Sequence, residues 1–231
     1  MAQAAMTNTA EPLARPAGLR GVVADISSDQ RAFKNVPWGK AMMWIFLLSD
    51  TFIFSCFLLS YMTVRWSTKV PWPNPSEVFA LNIGGENIPL ILIAIMTFIL
   101  ISSSGTMAMA VKFGYAHDRK TTAILMLVTA AFGASFVGMQ AFEWSKLISE
   151  GVRPWGNPMG AAQFGSSFFM ITGFHGLHVT GGVILLLLFA RKLARGDYDH
   201  SGNYQIVEIV GLYWHFVDLV WVFIFAFFYL W

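Results

Sequence analysis

The sequence predicts an all-α fold: a polytopic membrane helix bundle with five transmembrane helices, its N-terminus cytoplasmic and its C-terminus periplasmic. Three observations predict it. Of 231 residues, 56% are hydrophobic and only 12% charged, against about 45–50% and about 25% in soluble domains. Aromatic residues reach 16%, with 21 Phe and 9 Trp, more apolar surface than a soluble fold of this size can hide. Five stretches also hold the roughly 20 mostly apolar residues that a membrane helix needs. An ordinary soluble enzyme, a disordered chain and a fibrous protein are thereby excluded. The net charge of +2 is too small to suggest nucleic-acid binding. Cys56, the one cysteine, excludes a disulfide scaffold and any multi-cysteine metal site.

Residues 1–40 read as a polar cytoplasmic tail, dominated by Ala, Pro, Thr and Arg up to Arg20. It lacks the hydrophobic core of a cleavable signal peptide. Residues 41–231 form the five-helix domain. Its first span is 41–64. The Pro- and Trp-rich segment 65–87 that follows reads as an ordered interfacial loop. The second span is 88–111. The third, 121–142, is rich in Ala, Gly and Ser, and its Gly133, Ala134, Ser135 and Gly138 suit close helix packing. The fourth is 166–190. The fifth, 209–231, ends on Trp231, which belongs at the outer interface. No internal repeat is present. Orientation follows from Lys and Arg. Eleven of the 15 fall on one side: in the tail (Arg15, Arg20, Arg31, Lys34, Lys40), the 112–120 loop (Lys112, Arg119, Lys120) and the 191–207 loop (Arg191, Lys192, Arg195). Four fall on the other, namely Arg65, Lys69, Lys146 and Arg153. The richer side is cytoplasmic.

Ionisable residues within a span are costly and point to function. Here they are Asp50, His175, His178, His215 and Asp218, with Glu143 at the outer end of the third span and Glu208 at the inner mouth of the fifth. At 1.5 Å per residue, Asp50 and Asp218 each lie about 13 Å in from the cytoplasmic side, and His178 about 18 Å from the outer end. All three sit near mid-membrane, either as one cluster or each with its own partner. His175 and His178 are three apart and share a helix face, as do His215 and Asp218. Glu208, Gly211, His215 and Asp218 form one stripe, beside a Trp214/Trp221 stripe. Such a stripe must face protein or water.

Each residue has a bland reading beside a sharp one. His-x-x-His could bind a metal, but two histidines are half a site. Hydrogen bonds tying the fourth helix to its neighbours account for them better. A lipid-headgroup or proton-linked role also stands. Asp218 pairs with His215 or with another helix. For Asp50 the first helix offers no cation, so either it serves a proton- or lipid-related role or, protonated, it hydrogen-bonds to a neighbouring helix, with Ser49 as a local partner. Cys56 reads as a buried reduced thiol without chemistry.

The fourth and fifth spans carry FHGLHVTGG (174–182) and YWHFVDLVW (213–221). The first carries LLSDTFIFSCF (47–57), the second ISSSG (101–105) and the third MQAFEW (139–144). Taken in chain order, they resemble subunit III of the haem–copper terminal oxidases, the cytochrome c oxidase subunit 3 family, in a five-span form that lacks the first two helices of seven-span members. The match runs from residue 41 to 231 and leaves out the tail. The resemblance implies an accessory, non-redox subunit of an aerobic respiratory terminal oxidase in the bacterial inner membrane. Such a complex reduces O₂ to water and pumps protons. It implies docking on subunit I, association with subunit II and possible further small subunits, haem and copper in those partners rather than in this chain, and contact with phospholipid. It marks Asp50 as the carboxylate that faces subunit I and supports proton uptake. It leaves Glu143, His175, His178, Glu208, His215 and Asp218 as internal architecture, with no catalytic or metal-binding residue. The Trp, Tyr and His of longer members are unmatched at Leu59, Met62 and Thr63, so lipid contacts there do not carry over.

Cytochrome c is the expected electron donor because that branch is broader, although an Asp at position 50 is familiar in quinol-oxidising members. The alternatives are subunit III of a quinol oxidase and the accessory protein of a nitric oxide reductase. A small ion or solute transporter is the rival of another class, and Asp50 and Asp218 could support it. The sequence lacks the paired half-repeats and matching broken spans of a transporter.

Overall fold

The computed structural model describes residues 36, 38–83, 86–88, 90–196, 198 and 204–230. The tail residues Arg15, Arg20, Arg31 and Lys34 and the terminal Trp231 lie outside the described residues. Five long helices carry the apolar stretches: α1 (Trp38–Ser67), α3 (Ile91–Tyr115), α4 (Arg119–Ser149), α5 (Ala162–Arg195) and α6 (Gln205–Phe228). All five are long and apolar enough to cross a membrane. A short helix, α2 (Pro75–Val78), and a hairpin of β1 (Leu81–Ile83) and β2 (Glu86–Ile88) fill the connection between α1 and α3.

Each helix extends past its expected span at one end or both, although α6 ends at Phe228 rather than 231. The second span begins at Ile91 rather than 88, because residues 86–88 pair with 81–83 as a strand. α4 continues seven residues past the expected end, to Ser149. Hydropathy marks only the part that suits lipid, whereas backbone hydrogen bonding propagates through polar residues such as Ser145 and Lys146. The ends have local causes. Asp118 caps α4, its Oδ1 accepting from Thr121 N at 3.2 Å and its Oδ2 from Thr121 Oγ1 at 2.6 Å. α5 stops at Gly196, where φ is +84° and glycine carries no penalty.

α3 packs on α4 and α6, and α5 on α4 and α6, closing a ring of four helices. Tryptophans fill its middle. Trp214 lies where Gly133 of α4 and Gly182 of α5 leave room. A Cβ at Gly133 would sit 2.4 Å from Trp214 Cη2, and one at Gly182 would sit 2.9 Å from its Cε3. The small residues of the third span therefore divide. Gly133 is buried against Trp214, but Ala134, Ser135 and Gly138 are exposed, and a Cβ at Gly138 would meet nothing.

α1 adds to the ring by one face only, burying Leu47, Asp50, Phe54 and Tyr61 at helical spacing. Its far face exposes Leu48, Phe52, Leu59 and Trp66, with Phe52 73% exposed. The segment from 68 to 80 is ordered against the ring. Trp72 packs on Tyr61 and Phe164, and Phe79 on Phe168 and Tyr229. Ala161 N donates to Pro71 O at 3.2 Å, and Lys146 Nζ donates to Ala80 O.

Candidate functional site: intramembrane polar pairs

Asp50 and His178 meet across α1 and α5. Asp50 Oδ2 lies 2.9 Å from His178 Nε2. The contact is electrostatic in character, because Oδ2 lacks a partner at hydrogen-bond angles among the described residues. His178 Nδ1 lies 2.8 Å from Phe174 O. A carbonyl only accepts, so Nδ1 carries a proton and Nε2 is the variable position. Tyr213 OH donates to His178 O at 2.9 Å and fixes that turn of α5 from α6. Phe54 covers the pair, its ring centroid 5.6 Å from that of His178. Asp50 is 4% exposed and turned into the chain. Its partner comes from another helix and is not Ser49, whose hydroxyl donates to Phe46 O instead.

His175 shares its face with His178 but takes a different role. It is fully buried, stacked on Trp221 at 5.4 Å with Phe136 edge-on at 5.8 Å, and neither ring nitrogen has a hydrogen-bond partner among the described residues. Of the two histidines, only the His178 ring has a polar contact to another helix, the 2.9 Å approach to Asp50. No group of three or more His, Cys, Asp or Glu side chains suited to a metal gathers among the described residues.

The remaining polar residues form separate groups. Ser104 Oγ lies 2.6 Å from His215 Nδ1 and also bonds the Asp218 carboxyl. His215 therefore takes its hydrogen bond from α3 rather than from Asp218, whose Oδ1 is buried and unpartnered. Asp50, His178 and Asp218 share a depth without forming one cluster. Glu208, at the start of α6, accepts from Tyr115 OH of α3. At the far end of α4, buried Glu143 accepts from Gln140 Nε2 at 2.7 Å and from Tyr229 OH at 3.1 Å. Cys56 corrects its expectation: it is free and exposed.

Hydroxyls within the spans escaped the sequence reading. Trp214 Nε1 donates to Ser103 Oγ at 3.0 Å, Trp221 Nε1 to Thr97 Oγ1 at 3.1 Å and Trp144 Nε1 to Thr172 Oγ1 at 3.2 Å. Buried indoles need such acceptors. Ser and Thr on apolar helices were the available signal, and only the ISSSG stretch was noticed. Tyr213, Tyr229 and Gln140 were likewise missed, because neutral polar residues do not stand out where charge is the criterion.

A family model described as cytochrome c oxidase subunit III matches residues 24–231. "Probable quinol oxidase subunit 3" of Staphylococcus aureus (strain USA300) is 33% identical over 187 residues, covering 81% of this chain and 86% of the relative. The protein of the same name from Staphylococcus saprophyticus is 31% identical over 198 residues, covering 86% and 90%.

Proposed function

This chain belongs to the cytochrome c oxidase subunit III family and is part of a terminal oxidase complex, and from that premise we propose that its Asp50–His178 pair, buried between α1 and α5, is a proton-exchanging group behind the face of α1 that meets subunit I. The observation that carries the reading is the 2.9 Å approach of Asp50 Oδ2 to His178 Nε2. A proton taken up by the pair from outside, or given up by it, changes the pair's net charge by one, whereas transfer between Nε2 and Oδ2 leaves it unchanged. At mid-membrane such a change is felt strongly, because low dielectric raises every charge interaction. Nδ1, committed to Phe174 O, holds the ring so that Nε2 always faces the carboxyl.

Subunit I docks directly against α1, whose outward stripe of Leu48, Phe52 and Leu59 must be covered by lipid or protein. Subunit II and small subunits complete the assembly. Haem and copper belong to those partners. The chain sits in the bacterial inner membrane with its N-terminus in the cytoplasm, as the Lys and Arg balance supports. Phospholipid acyl chains occupy the groove of about 600 Å³ between α1 and α5, lined by Phe57, Val64, Phe169 and Met170. Cytochrome c is the first reading for the donor. Quinol is a second, favoured by the relatives' printed name and by Asp at position 50. Steady-state oxidation of each donor by the purified complex separates the two.

The test of the proton role is Asp50→Asn, which keeps shape and a hydrogen bond but cannot exchange the proton at neutral pH. Normal haem content with fewer turnovers before inactivation, or less proton pumping, is the expected result. Wild-type lifetime and pumping overturn the reading.

A further inference from the structure

Four glycines, Gly173, Gly176, Gly181 and Gly182, flank His178 along one stretch of α5. Glycine weakens a helix interior, because it loses the most backbone freedom on ordering and has no side chain to pack. The turn that carries His178 therefore depends on contacts from other helices to hold its place. Its N-terminal side has Trp144 of α4. That indole donates to Thr172 Oγ1 at 3.2 Å, and its ring lies where a Cβ at Gly173 would be 3.3 Å away.

On the C-terminal side stands Tyr213 of α6. It is 7% exposed, and its ring lies against Gly182, where a Cβ would come within 3.1 Å of Cε1. Its hydroxyl donates to His178 O at 2.9 Å. A helical carbonyl has a second lone pair for such a donor, and a phenol among apolar helices needs an acceptor. The next residue, Trp214, is buried between Gly133 and Gly182 and bonds Ser103 of α3. Tyr213 thus starts from a firmly packed point of α6 and ends on the glycine-rich turn of α5.

The same residue reaches the helix that carries Asp50. Phe46, one turn before Asp50 on α1, has its ring centroid 6.2 Å from that of Tyr213. Phe54, one turn after Asp50, packs on His178. Asp50 is bracketed between these two contacts, and its carboxyl acts electrostatically on the Tyr213 phenol. The 2.9 Å approach of Oδ2 to Nε2 leaves little slack. A slip of about 0.5 Å between α1 and α5 would exceed the roughly 3.2 Å limit of a close N···O contact. We propose that Tyr213 is a positioning residue for the Asp50–His178 pair, holding α5 through His178 O and α1 through Phe46. Its consequence for turnover rests on the reading of that pair as a proton-exchanging group, whereas the contact it keeps can be measured without turnover.

The test is the reaction of Asp50 with a hydrophobic carbodiimide in the intact oxidase in nanodiscs, read by mass spectrometry of peptides from this chain. The contact with His178 shields the carboxyl from the reagent. Tyr213→Phe keeps the ring and drops only the hydroxyl. It should raise labelling of Asp50 at least about threefold, the change expected from loss of one interhelical polar contact. Labelling of Asp218, on the same helix as Tyr213, should stay at the wild-type level. Gly181→Ala places a methyl at an ordinary 3.6 Å from the Tyr213 hydroxyl and stiffens the turn, so it should bring Tyr213→Phe back toward wild type. Phe46→Leu, at a residue 43% exposed, loosens the α1 side and should raise Asp50 labelling likewise, which keeps the test open if Tyr213→Phe does not assemble. Unchanged Asp50 labelling in both single variants, an equal rise at Asp218, or no suppression by Gly181→Ala overturns the proposal. Turnover lifetime of the same preparations separates the two readings: raised Asp50 labelling with a wild-type lifetime supports Tyr213 as a positioning residue and contradicts the proton role of the pair.

Discussion

Replacing Asp50 separates architecture from proton chemistry. Asp50→Ala removes the one group within 2.9 Å of His178 Nε2 and leaves that nitrogen against Phe54. Interhelical polar contacts in membranes are worth about 0.6 kcal/mol on average and about 1.7 at most. At about 1.4 kcal/mol per decade, that is about a threefold to twentyfold change in how often α1 is held against α5. The four-helix ring of α3–α6 does not depend on this pair, so the complex should still assemble and carry its haems. Turnover lifetime and protons pumped per electron should fall by more than haem content does. The assays are pyridine haemochrome content, oxygen consumption followed to inactivation, and proton release from reconstituted vesicles. Asp50→Asn restores the contact but not the exchangeable proton, so it should rescue stability and leave lifetime low. Unchanged lifetime and pumping in both variants, or full rescue by Asn, would refute the reasoning.

Other predictions follow from particular contacts. Gly133→Ala places a methyl 2.4 Å from Trp214 and should destabilise the purified chain by about 1–3 kcal/mol, seen as a lower melting temperature, whereas Gly138→Ala, with open space around it, should be silent. Tyr229→Phe removes a donor from buried Glu143 and should cost about 1–3 kcal/mol in the same melting assay. Asp218→Leu should reduce the yield of assembled complex, since it takes a hydrogen-bond partner from Ser104; a normal yield on gel filtration would count against this. The two Thr121 hydrogen bonds hold the Asp118 carboxyl below its ordinary range. A depressed value means that its contribution is present above the unfolded value and is lost as pH falls through the folded one. Asp118→Ala should therefore lower the melting temperature at neutral pH and close the gap to wild type under acid conditions.

Much of this was legible because lipid imposes a simple rule. Stretches of about 20 apolar residues become helices, and the five spans follow directly. Asp50, His178, His215 and Asp218 stood out because charge in such stretches is rare. Their partners were less legible. Asp50 meets His178 through the packing of α1 on α5, and helical phase within either segment does not reveal that match. The same limit hid Ser104 as the partner of His215, with 111 residues between them. Cys56 was misplaced because hydropathy scores a lipid-facing side chain and a core side chain alike. Helix ends ran long because backbone hydrogen bonding does not stop where hydropathy does. The indole bonds to Ser103 and Thr97 were within reach, since a buried tryptophan in an apolar helix requires an acceptor nearby.

The most direct test of the central claim is a reduced-minus-oxidised spectrum of the affinity-tagged chain purified from its native membrane in mild detergent. The account expects a stoichiometric haem signal carried by larger co-purifying chains, consistent with the subunit III family match over residues 24–231. A clean preparation without haem and without partner chains would contradict it.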